Sequence, residues 1–309
     1  MKSIYKKYFL IVLTGTSSYI FLSCDKTINP TLESAAPVLV VEAWLTNKPE
    51  KQIVQLTMTQ PYFDATTPPG VSSATVLVTD DIGGSFSFTD DGTNTGTYQW
   101  VPSVGSVFGA VGRKYQLSVT VGSETFQAMS MMNRTTSVDS ITFSSKQDLR
   151  YPTGSYVGQF WGTDPKGAGD TYWIKAYKNG VLLDKPSDIN LAYDAGFSAG
   201  GDFDNAPFIP PIRMGINPND TDPNNSNKIL PPYVLGDSVY VEINSITLEA
   251  FNHLQQVITQ TQRTGGFGAL FAKPLANVST NVFNVNTKGS PVVGFFNVSA
   301  VKGRGQKLK

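Results

Sequence analysis

Between Val38 and Ser130 the chain changes character at every second residue. "KQIVQLTMTQ" (51–60) sets Ile53, Gln55, Thr57 and Thr59 against Val54, Leu56 and Met58. A period of two sends successive side chains to opposite faces of a strand, so one face is buried and the other is wet. "ATVLVTD" stops at Asp80, Asp81 and "IGG". "GSFSFTD" stops at "DDGTNTG", "TYQWV" follows, and "RKYQLSVTVGSETFQAMS" turns about Gly122 and Ser123. β-Branched and aromatic residues suit a pleated surface, and Gly, Asp and Asn suit the turns between strands. Turn signals at roughly 8–12-residue spacing indicate an immunoglobulin-like antiparallel β-sandwich, placed at residues 36–133.

A second β-rich domain is expected over 134–303. "SVDSITFSS", "SYVGQFWGTD", "DTYWIKAYKNGVLLD" and "GDSVYVEINSI" are strand-like, the third with an Asn179–Gly180 hairpin turn. Residues 184–233 hold many Pro, Gly, Asn and Asp and are expected to be a long irregular loop. The spacing predicts one α-helix in the C-terminal region, over 247–263. Leu248, Phe251, Leu254, Ile258 and Thr261 share a face, Glu249 is in the first turn, Arg263 in the last, and Gly265–Gly266 form the cap. "SPVVGFFNVSAV" reads as a strand, and residues 304–309, the end of "KGRGQKLK", as a frayed basic tail.

Cys24 is the only cysteine. It ends the apolar stretch "YFLIVLTGTSSYIFLSC", which follows Lys2, Lys6 and Lys7. A positive start, an apolar run and a small-residue boundary make a signal peptide, here 1–23, too short and interrupted for a spanning helix. "FLSC" resembles a bacterial lipobox, in which the cysteine thiol is alkylated with diacylglyceryl and the new amine acylated. Several acyl chains give stable anchoring where one is marginal. Residues 24–35 are polar and serve as a tether. The expected location is the outer membrane, lipid-anchored, at the cell surface or the periplasmic face.

Cutting before Cys24 removes three lysines and no acids, so 24 basic residues become 21 against 24 acidic ones. A net negative chain lacks the basic face that nucleic acid requires. No cysteine is left for disulfides, so the mature chain depends on its core.

"GFSAG" (196–200) matches the G-x-S-x-G pattern of a nucleophile elbow, and Ser198, Asp202 or Asp237, and His253 follow in a triad order. The elbow needs a buried strand before it and a helix after it. "GDFDNAPFIPP" follows instead, with prolines not expected to open a helix, and His253 is on a surface-patterned helix. No catalytic residue is assigned. One histidine and a lipidated cysteine give no zinc spacing. The Asn/Asp-rich stretches 89–96 and 217–228 carry calcium-type oxygens without the spacing of a known loop, and are read as turns. Glu42, Glu124, Glu242 and Glu249 are scattered and suggest no paired-carboxylate site. No metal and no cofactor beyond the lipid at Cys24 is expected. The candidate ligand or partner segment is the aromatic and acidic part of the long loop: Phe197, Asp202, Phe203, Asp204 and Phe208.

The ordered set "VLVVEAWLTN", "VQLTMTQPYF", "SSATVLVTDDIGG", "GTYQW", "GRKYQLSVTVG", "SVDSI", "TYWIKAYKNG", "GDFDN", "LGDSVYVEINSITLEAFNHL", "ANVSTNVFN" and "VVGFFNVSAV" resembles domain-of-unknown-function family 4249. That resemblance implies a Gram-negative outer-membrane lipoprotein, often found beside TonB-dependent receptors. It implies a non-catalytic accessory subunit with a receptor barrel as partner, and a small-molecule or peptide ligand of unstated identity. The alternatives are a structural lipoprotein of an envelope or secretion assembly and, behind it, a hydrolase.

Overall fold

The computed structural model describes residues 35–61, 64–146, 151–262 and 276–309. Cys24, the signal segment, Arg263 and Gly265–Gly266 lie outside the described residues. The chain divides into Met1–Ala36 and one compact unit, Pro37–Lys309, which carries everything described below.

The chain is mostly β. The first strands are β1 (Leu39–Thr46), β2 (Gln52–Met58), β3 (Thr75–Asp80), β4 (Ser85–Asp90), β5 (Thr97–Trp100), β6 (Lys114–Val121) and β7 (Glu124–Met131). Two more come from the far end of the chain, β16 (Phe283–Asn284) and β17 (Val292–Ser299). Among the described residues these nine form one sheet in the order β16-β7-β6-β3-β4-β5-β2-β1-β17. Val54 and Leu56 point inward and Ile53 outward, as the alternation requires. Asp80 Oδ1 accepts from the Ile82 and Gly84 amides at 3.0 and 2.6 Å, which fixes the β3–β4 turn.

Two half-sheets face each other in a sandwich-like arrangement, joined by the short β4–β5 pairing Thr89–Gln99 and Asp90–Tyr98. The free ends then meet. The Val298 amide donates to Ser130 Oγ at 3.0 Å, and Asn281 Nδ2 bridges the Met129 and Phe296 carbonyls. The enclosed core holds Val41, Leu56, Val78, Leu117, Val119 and Phe296. The sheet is not wholly antiparallel, because β17 runs parallel to β1 from Leu39–Val292 to Thr46–Ser299. A strand arriving by a long crossover is free of the reversal that a hairpin imposes.

A second sheet follows, made of β10 (Thr171–Lys178), β11 (Val181–Leu182), β12 (Asn190–Tyr193), β15 (Ser238–Ile246) and β18 (Val301–Lys307). Asn179 and Gly180 have φ of 52° and 81°, as a tight hairpin turn demands. One face of this sheet (Tyr172, Ile174, Ala176, Val239, Val241, Ile243) builds a second core. That core is covered by the hairpin of β8 (Ser140–Ser145) and β9 (Tyr156–Trp161) and by residues 195–216.

The basic end is not frayed: Val301–Lys307 pairs with β15 and Leu308 is buried in the second core. Residues 184–233 are not an irregular loop. They contain β12, a short helix α1 (Pro210–Met214) and the hairpin of β13 (Thr221–Asp222) and β14 (Asn225–Ile229). Phe208, Ile212, Ile216 and Tyr233 of this segment are core residues, so burial orders a stretch whose composition suggests turns. The prolines do open a helix, since Pro210 and Pro211 take first-turn positions whose N–H groups would have no intrahelical partner.

The longer helix, α2 (Leu248–Thr261), is capped by Thr247, whose Oγ1 accepts from the Ala250 amide at 3.2 Å. It buries Phe251 and Leu254 as predicted, yet Leu248 and Thr261 are exposed, while Ala250 and His253 are buried. With Thr247 as the cap, Leu248 is the first helical residue and clears the packed surface. The helix covers a third cluster with Ile246, Phe295, Trp44 and Trp173, where the two sheets meet. No helix of the described residues is long and apolar enough to cross a membrane.

Candidate functional site

Two Asp/Gly-rich segments, 164–170 and 194–204, lie against each other at one end of the second sheet. Asp194 Oδ1 accepts from the Gly169 and Asp170 amides at 2.8 and 2.9 Å, and the Asp194 amide donates to the Asp170 carbonyl at 2.7 Å. Asp204 Oδ1 accepts from the Gly167 amide at 2.7 Å. Gly167 and Gly169 have φ of 120° and 105°, a region that glycine enters without strain, and this turns their amides toward the carboxylates.

Arg134, just after β7, clamps the first segment from outside. Its Nε and Nη2 reach Asp170 Oδ2 at 2.9 and 2.6 Å, and Nη2 also donates to the Pro165 and Gly167 carbonyls. The hydrogen bond to Asp170 raises the Arg134 pKa further. Such a fork combines charge with fixed geometry.

Asp164, Asp170 and Asp194 each place a carboxylate oxygen within 4.8 Å of the others. Asp164 is fully buried. Burial pushes its carboxyl up to about 6, against the opposing effect of the Tyr172 hydroxyl, which donates to Oδ1 at 2.7 Å. Tyr172 is raised in turn, by burial first and by this bond second. The three oxygens are of the type a hard cation takes. Here the guanidinium of Arg134 supplies positive charge at the rim, and Tyr172 and backbone amides supply the donors.

The predicted segment splits between support and display. Phe208 is in the second core, its ring 5.5 Å from Phe160 and 5.6 Å from Tyr172. Phe203 lies over Gly196 and Gly201, where an added Cβ would come within 2.3 and 2.4 Å of its ring. Asp204 braces the 167 turn. Phe197 and Asp202 are exposed, and with Ser198 they form a tip on this braced base.

The triad order does not assemble around that tip. His253 is buried, not surface-placed. Its Nδ1–H donates to the Ser279 carbonyl at 2.5 Å and its ring lies 4.5 Å from Phe295. Burial lowers its pKa. Asp237 is engaged by Asn179 at 2.8 Å and Lys178 at 3.3 Å. The carboxylates of Asp90 and Asp91 accept from the Gly92 and Thr93 amides, the turn role expected for that stretch.

Sequence reasoning missed Arg134, Asp164, Asp170 and Asp194. The one available signal was the repeated Asp/Gly composition of 164–170 and 194–204, which also reads as ordinary turns.

The fold and site define a mostly β, sandwich-like protein with a braced, surface-presented loop. The chain belongs to the family described as Domain of unknown function (DUF4249), whose model matches residues 25–304. No curated protein matches it.

Proposed function

We propose that this chain is an outer-membrane lipoprotein, anchored through Cys24, that serves as a non-catalytic binding subunit beside a TonB-dependent transporter barrel. The observation that carries this reading is the lone cysteine at the end of "YFLIVLTGTSSYIFLSC", followed by a polar tether and an otherwise cysteine-free chain. The family resemblance is what favours a barrel as the partner. Acyl chains and a short tether raise the effective concentration toward the millimolar range, so modest contacts suffice.

The 194–204 tip is the surface assigned to partner contact. Its base is held by Asp194 and Asp204 against the 164–170 segment, which Arg134 clamps in turn, and this lowers the ordering cost of binding. Its exposed Phe197 offers an aromatic anchor beside an acid, Asp202. The test is a photo-crosslinker placed at Ser198 in the full-length protein in native membranes, with and without the double change Phe197→Ser and Asp202→Asn. Cross-linking to a barrel that the double change abolishes, at unchanged thermal stability, supports the assignment. Undiminished cross-linking overturns the role of the tip.

A further inference from the structure

On β10, Trp173, Lys175 and Tyr177 point away from the second core, opposite to Tyr172, Ile174 and Ala176. Beside them is a cavity of about 200 Å³ lined by Trp173, Lys175, Leu182, Leu183 and Ile189, with Asp184, Lys185 and Asp188 also on its wall. This falls below the roughly 300–1,000 Å³ of drug-sized sites, so its occupant is small.

Lys175 is the anomaly in this wall. Among the described residues it has no ion-pair partner and no hydrogen-bond acceptor. Its close electrostatic neighbour is the Trp173 ring, with Nζ 4.0 Å from the centroid. The acid directly across the ladder, Glu242, is engaged elsewhere. Its carboxylate takes Lys48 Nζ at 2.7 Å and the Tyr177 hydroxyl at 3.2 Å. The other charges are also committed or distant. Glu50 pairs with Lys48 at 3.0 Å, Asp188 accepts from the Lys185 amide at 3.1 Å, and Lys185 pairs with Asp220. Asp184 is exposed, where screening shortens its reach. The nearest acid, Glu242, is already shared by Lys48 and Tyr177, so an ammonium on this largely apolar wall keeps charge that a bound anion would take up.

We infer that the Lys175 cavity is a binding site for a small monoanionic carboxylic acid with an apolar or aromatic body. The carboxylate would pair with Lys175, and the body would pack on Trp173, Leu182, Leu183 and Ile189. With Lys185 paired to Asp220, Lys175 is, among the described residues, the one uncommitted cation on the wall, and a single positive charge matches a monoanion better than a dianion. This rests on the cavity alone, not on the anchor or the barrel.

The ionisation of Lys175 gives a second handle. Burial pulls its ammonium down to about 8, with Glu242 acting in the opposite sense and Lys48 in the same sense. A carboxylate binds the protonated form, so affinity falls as pH rises through this value.

The test uses the purified full-length protein and two acids, phenylacetate and hexanoate, each against its neutral amide. Affinity is read by calorimetry and tryptophan fluorescence at pH 7 and 9.5. At least one acid should bind saturably at pH 7 and about tenfold tighter than its amide. That preference should vanish in Lys175→Met and weaken about tenfold at pH 9.5. Absence of saturable acid binding overturns the inference. So do equal affinities for acid and amide in the wild-type protein, a comparison that holds even if Lys175→Met folds poorly. In either case Lys175 only rests on Trp173 with its ammonium toward water. Loss of barrel association in membranes would leave this result unaffected.

Discussion

Trp173 on β10 meets Trp44 on β1 edge to face, with ring centroids 5.2 Å apart and planes at 76°. Trp44 also stacks on Phe295 of β17, at 5.6 Å and 17°. One indole therefore touches the second sheet and the strand that joins the chain's far end to the first. Trp44→Ala should cost about 2–3 kcal/mol, below the roughly 3–5 kcal/mol of a fully buried tryptophan, because Trp44 is half-buried. Chemical denaturation measures this, and Trp44→Phe should recover part of the loss.

The Asp164 carboxyl gives a pH signature. Its folded value of about 6 lies above the ordinary value of about 4, so the folded chain holds this proton more tightly than the unfolded chain does. The contribution of Asp164 to stability is full below about pH 4 and is lost as pH rises through about 6. Asp164→Asn keeps an acceptor for Tyr172 without the charge. Thermal midpoints from pH 3.5 to 7 should fall less steeply in the variant than in the wild-type chain. Parallel curves would show that Asp164 titrates normally.

Lys48 and Glu242 form an ion pair in which the Glu242 side chain is only 3 % exposed. Burial opposes the charge on Lys48, but Glu242 and Glu50 together raise its pKa. Lys48→Met leaves Glu242 with the Tyr177 hydroxyl and the facing Lys175, and should cost less than the roughly 3–5 kcal/mol of a fully stranded buried charge. Adding Glu242→Gln should restore most of that loss, which a denaturation double-mutant cycle reads directly.

The basic end of the chain is structural. Deleting residues 304–309 removes Arg304–Lys307 from the β15 ladder and Leu308 from the second core, and it should lower the thermal midpoint clearly. Leu308→Ala alone should cost about 2–5 kcal/mol, the range for large-to-small changes in a core. A truncated chain with an unchanged midpoint would restore the frayed-tail description.

Strands with one dry face were legible wherever local chemistry decided them. Val54 and Leu56 point inward as their alternation requires, and Asn179–Gly180 makes the expected turn. Long-range partners were not legible. Nothing local in "VKGRGQK" or "VVGFFNVS" says that the first pairs with β15 and the second runs parallel to β1. The 184–233 segment misled because its prolines and glycines suggest turns, while Phe208, Ile212, Ile216 and Tyr233 fill a core that only the folded sheet creates. The site was half legible. Phe197, Asp202, Phe203, Asp204 and Phe208 fall in one segment, but only the first two are displayed. Asp164, Asp170 and Asp194 have the appearance of turn residues until Arg134 and Tyr172 are brought beside them. Lys175 looks like an ordinary wet-face lysine until the 182–189 segment forms the other wall of an open cavity beside it.

Affinity purification of the full-length protein from gently solubilised native outer membranes, read by mass spectrometry, measures the partner itself. A TonB-dependent barrel should co-purify with the wild-type chain and be lost when Cys24 becomes alanine. Recovery of the chain alone, or with secretion or cell-wall components in place of a barrel, would contradict the accessory-subunit function and favour a structural role in the envelope.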